Sequence, residues 1–216
     1  MFETLAAKTF LILAASLFTA YIASRLSGAA LKKALDYGNI SKAKNMQITA
    51  MIVNIAAFVA LMFLQHKMPL NMVLMFVFTF SSGWTLGIYA LRGGDAVQKA
   101  VALTGFITLL GGLVATYSGL DFAWMGKFLF IALIVLVVIS IARLFVKIEK
   151  GRRFIAAFGV LIFTGYLLFD FNRLAKLKDA VGANTWNTAL DIAVSLYLDI
   201  INLFLQLVDL LSSGNN

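Results

Sequence analysis

The 216-residue chain carries ten acidic residues, and two of them stand where carboxylates are costly. Asp170 ends an apolar run that begins after Arg153, and Asp199 lies inside another, Asn187 to Leu211. An ionised aspartate at mid-bilayer costs about 2.5–3.5 kcal/mol on the mildest scale, so it needs a partner, water or a proton. The last run also holds Thr188, Asp191, Ser195, Asn202, Gln206 and Asp209. Steps of three and four keep these residues and Asp199 on one face of an α-helix. A helix lying on a membrane surface would show Lys and Arg on its wet face. This stripe has neither, so its polar face is read as turned toward other helices or a watery cavity.

If Asp170 and Asp199 meet, like-charge repulsion and desolvation leave them holding one proton between them, and the pair senses pH. Both are also hard oxygen ligands for Ca²⁺, which takes six to eight oxygens. Asn202, Ser195, backbone carbonyls and water would supplement them in a loose site suited to passage more than storage. Asp170 alone also reads as a solvated helix-end residue paired with Arg173. Asn54, inside an earlier apolar run, reads as an interhelical hydrogen-bond donor or a cavity-lining residue. Cysteine is absent and His66 is the sole histidine. Thiolate chemistry and a zinc centre are therefore excluded, and no cofactor is expected.

The elements that position these residues follow from composition. The chain is 62% hydrophobic and 13% charged, against about 45–50% and about 25% in an ordinary soluble domain. A globule of this size cannot fold that much apolar surface inward, so the solvent is lipid and the chain is an integral multi-pass membrane protein. Nucleic acid is not the partner implied by the net charge of +8. Residues 1–178 carry +12 and residues 179–216 carry −4, and the bases fall in short stretches between apolar runs, beside lipid headgroups.

Gaps between charges predict an all-α bundle of seven transmembrane helices in a single domain, over residues 6–26, 45–65, 69–91, 99–120, 126–146, 153–172 and 187–211. Pro69 falls at the start of the third, where a first helical turn tolerates it. Gly83 and Gly87 form a GxxxG in that span, read as helix packing. With seven spans, the loops sharing a side with the C-terminus carry 12 Lys and Arg and the opposite side six. That count places the N-terminus outside.

The stretch Gly165-Tyr-Leu-Leu-Phe-Asp170-Phe-Asn-Arg and the later Ser195-Leu-Tyr-Leu-Asp199-Ile-Ile-Asn-Leu-Phe204 resemble the signatures of the transmembrane Bax-inhibitor-motif family. Phe76-Val-Phe-Thr-Phe-Ser-Ser-Gly83 and Asp121-Phe-Ala-Trp-Met-Gly126 are similar to its third helix and to the turn before its fifth. The resemblance implies a central seventh helix wrapped by six others. It also implies a pH-sensitive Ca²⁺ leak controlled by an aspartate pair mapping onto Asp170 and Asp199, in a bacterial plasma membrane. The stretch matching the family's Arg-rich latch is Gln65-His66-Lys67, and Asn54 stands where a mid-helix acid is usual, so latch and pore lining depart from the pattern. The family's N-inside orientation disagrees with the charge count.

A pH-gated, Ca²⁺-permeable leak channel is thus the expected function. The rival is an interaction protein that regulates a membrane protease or a stress or cell-death partner without transport. A proton-coupled transporter fits less well, since no inverted repeat or discontinuous helix pair is visible. Catalysis is not expected, because the Y-D and G-x-G-D contexts of an intramembrane aspartyl protease are missing.

Overall fold

The computed structural model describes residues 3–64, 66–145 and 151–212. Eight α-helices occur among the described residues: α1 Leu5–Asp36, α2 Ile40–Leu64, α3 Leu70–Thr85, α4 Gly87–Arg92, α5 Asp95–Tyr117, α6 Met125–Phe145, α7 Arg152–Leu177 and α8 Trp186–Ser212. Helices α3 and α4 form one span, Leu70–Arg92, interrupted at Leu86, so seven helices are long and apolar enough to cross a membrane.

Several ends differ from the spans read off the charge gaps: α2 begins at Ile40, five residues early, and α5 runs from Asp95 to Tyr117, four and three residues early. Helix α1 does not stop near residue 26 but continues to Asp36, and α7 passes residue 172 to reach Leu177. Charge marks where lipid ends, whereas helix propensity and caps mark where a helix ends. The stretch Ala29-Ala-Leu-Lys-Lys-Ala-Leu35 consists of strong helix formers, and the chain turns only at Gly38, with a φ of 67°. At the other end, Thr4 caps α1 by accepting a hydrogen bond from the Ala7 amide at 3.2 Å.

The chain divides into two compact units, residues 1–93 with 185–194, and residues 94–184 with 195–216. Helix α8 is the one helix with residues in both. In the first unit, α1 packs on α3 and α4, and α3 packs on α2. The GxxxG sets the approach of α1. A Cβ on Gly83 would lie 2.2 Å from the Ala20 carbonyl oxygen, and one on Gly87 would lie 2.2 Å from Ser27 Oγ. Only glycine admits backbones that close.

Polar side chains tie the same unit together inside the apolar layer. Asn54 donates to the Phe78 carbonyl at 3.1 Å and to Ser81 Oγ at 3.3 Å. Gln47 donates to Ser27 Oγ at 3.2 Å, and Asn71 to Asn187 Oδ1 at 3.0 Å. Of the two readings of Asn54, the interhelical hydrogen bond is the one the structure shows.

In the second unit, α7 packs on α5 and α6. Small residues again permit it: a Cβ on Gly165 would lie 2.7 Å from Leu129 Cδ2, and one on Gly126 would lie 2.9 Å from the Phe169 ring.

Candidate functional site

Asp170 and Asp199 both lie in the second unit. Asp170 is carried by α7 and Asp199 by α8, and the two residues are 5% and 6% exposed. Their carboxyls lie within hydrogen-bonding reach of each other, and the second oxygen of Asp199, Oδ2, is buried with no hydrogen-bond partner among the described residues. The alternative of a solvated helix-end residue at Asp170 is overturned. Because α7 runs on to Leu177, Asp170 sits seven residues, roughly 10 Å, inside the helix.

Tyr166, one turn before Asp170, is near enough to feel both carboxylate charges. It was not among the residues singled out from sequence. The i, i+4 spacing that puts it on the face of Asp170 is the signal that would have found it.

The turn before α6 is fastened to the same stretch of α7. Asn172 donates to the carbonyls of Ala115 (3.3 Å) and Leu120 (3.1 Å) and accepts from the Phe122 amide at 3.2 Å. Lys176 pairs with Asp121, and Gly126 lies under Phe169. Asp121 lies outside the spans. Its carboxyl is held below the usual carboxylate range, first by the hydrogen bond from Lys176 and then by the Ala123 amide. The motif that holds Asp170 and the one that opens at Asp121 are therefore joined, through Asn172, Lys176 and Phe169.

The remaining polar residues of the α8 stripe take different roles. Asn202 donates back to the Leu198 carbonyl at 2.8 Å, so its amide serves its own helix. Gln206 fills the space above Gly159, where a Cβ would meet its Cδ at 2.5 Å. Asp209 pairs with Arg152 at the start of α7, with Nε to Oδ1 at 2.7 Å. Ser195 and Asp191 are half-buried, and Asp191 belongs to the first unit.

Of the latch stretch, His66 and Lys67 are exposed in the turn between α2 and α3, and Gln65 lies outside the described residues. Arg173 is half-buried on α7. Among the described residues no group of three His, Cys, Asp or Glu is placed to hold a metal. The aspartate pair offers at most four carboxylate oxygens, fewer than the six to eight that Ca²⁺ takes.

A family model described as "Inhibitor of apoptosis-promoting Bax1" matches residues 3–216. The chain belongs to the Bax inhibitor-1 family. An uncharacterized membrane protein of Vibrio cholerae is 30% identical over 178 residues, covering 78% of this chain and 77% of the relative. A "BI1-like protein" of Arabidopsis thaliana is 34% identical over 160 residues, covering 70% and 59%. A "Golgi anti-apoptotic protein" of vaccinia virus is 32% identical over 169 residues, covering 78% and 69%. Seven spanning helices and bacterial relatives make this Bax inhibitor-1 family member an integral multi-pass protein of a bacterial membrane.

Proposed function

We propose that the protein is a pH-sensitive, Ca²⁺-permeable leak channel in which Asp170 and Asp199 form the gate. The observation that carries this reading is the approach of two buried carboxyls on different helices to within reach of a hydrogen bond. Such a bond requires a proton, because two ionised carboxylates offer acceptors only. With the proton in place, α7 and this part of α8 are bridged. Without it, two like charges face each other. At an effective dielectric of 20, two unit charges about 4 Å apart interact by about 4 kcal/mol. A hydrogen bond between membrane helices contributes about 1–2 kcal/mol. Repulsion therefore outweighs the bond it replaces, and separating carboxylates admit water and attract a divalent cation. Asp199 lines the path, while Asp170 couples protonation to helix movement. Ser195 and the unpartnered Oδ2 of Asp199 supply polar surface along it.

Ca²⁺ entry into proteoliposomes of the full chain, compared at an acidic and an alkaline pH, is expected to be higher at the second, because loss of the bridging proton separates the carboxylates. Asp199→Asn keeps a hydrogen bond to Asp170 without needing that proton, so its flux should be the same at both values. A variant with the parent's pH dependence removes Asp199 from the gate. The second reading, an interaction protein without transport, is favoured by the name of the vaccinia relative. It would be supported by a stoichiometric membrane partner on purification and no cation flux at either pH.

A further inference from the structure

A groove of about 710 Å³ opens between the start of α2 and the end of α3, wholly within the first unit. Its volume falls in the range of about 300–1,000 Å³ typical of a site for one small ligand. The lining is graded along its length. Asn39, Lys42 and Asn45 stand at one end, and Val53 with Phe80 at the other. Trp84 lies between, its ring 5.9 Å from that of Phe80.

The grading matches one leaflet of a bilayer. From Lys42 to Val53 is eleven residues of helix, roughly 16 Å, about half of a hydrocarbon core ~30 Å thick. Lys42 stands two residues into α2 among polar neighbours, at headgroup height, and no described carboxylate pairs with it. Val53 and Phe80 are 40% and 42% exposed on helices that face lipid. A partner helix would need a groove through both leaflets, but α2 continues beyond Val53 to Leu64 without further lining. A soluble anion would leave the apolar floor unused.

We infer that this groove holds one anionic phospholipid, its phosphate at Lys42 between Asn39 and Asn45 and one acyl chain along Phe80 to Val53. The amides of the two asparagines donate to phosphate oxygens, and Lys42 supplies the charge that selects an anionic headgroup over a zwitterionic one. The site stands apart from the aspartate reading and does not depend on it.

Native mass spectrometry of the full chain in detergent micelles tests this, comparing phosphatidylglycerol with phosphatidylcholine of the same chains. A cation near an anionic headgroup contributes about 1 kcal/mol, so the first retained lipid should be anionic by about fivefold. Lys42→Gln should bring that ratio close to one. Lys44→Gln, exposed on α2 but outside the groove, should keep it. Val53→Trp, which fills the floor, should lower retention of both lipids. No headgroup preference in the parent, equal shifts for the two lysine variants, or unchanged retention with Val53→Trp would each overturn the assignment. So would a second protein chain in place of lipid.

Discussion

Asn172 uses both its donor and its acceptor to hold three backbone groups, two carbonyls and an amide, from residues 115–122. Truncation would leave the buried Ala115 carbonyl without this partner, which costs about 1–3 kcal/mol, and would free the more exposed Leu120 and Phe122 groups to water. Asn172→Ala should therefore lower the melting temperature in detergent, and an unchanged midpoint would show that the turn is held by other means. The Asp121–Lys176 pair beside it is exposed and weaker. Because the folded pKa of Asp121 is depressed, its contribution is present above the ordinary carboxylate range and fades as pH falls through the folded value. Asp121→Asn should thus melt below the parent at pH 7 and converge with it as pH falls below the ordinary carboxylate range. A constant gap between the two curves would exclude the ion pair as its origin.

Glycine at the α1–α3 crossing is a property of the elements. Gly83→Ala would force apart backbones that now touch, and overpacking of this kind costs typically about 1–3 kcal/mol. Gly105, on α5, has nothing within 4 Å of where a Cβ would sit, so alanine there should be neutral or stabilise by up to about 1 kcal/mol. Thermal melting of both variants against the parent separates close packing from simple propensity; equal shifts would deny the crossing its role. Both glycines were visible in the sequence, but only the structure tells which one faces a neighbour. The same holds for the aspartates. Helical spacing identifies the inward face of α8, because one helix decides it. Which helix lies opposite is a tertiary fact, and so the meeting of Asp170 with Asp199 could be framed from the sequence only as a condition. Spans were legible for a physical reason, since lipid penalises every charge. Helix ends were not, because Ala29 to Leu35 keep a helix going through water as readily as through lipid. Asn202 shows the remaining gap: it sits on the polar stripe, yet its amide turns back to Leu198.

Seven spans put consecutive loops on alternate faces of the membrane, whichever way the chain is inserted. Tyr37, in the turn after α1, is 79% exposed, and Val181, in the segment after α7, is fully exposed. They follow the first and the sixth span and so face opposite sides. The chain has no cysteine of its own, so Tyr37→Cys and Val181→Cys can each be labelled alone in intact cells with an impermeant maleimide. One should react and the other should not; labelling of both would contradict the odd number of spans, and the reactive one decides between the charge count and the N-inside orientation. Helix α1 has a practical use in imaging as well. Its 32 residues run roughly 48 Å, more than the ~40–45 Å of a whole bilayer with its headgroups, so an upright α1 brings a rigid stub out beside Gly38. Helices that lie within a bilayer give electron microscopy little to align, and a helical fiducial spliced between Tyr37 and Gly38 would inherit the stub's stiffness.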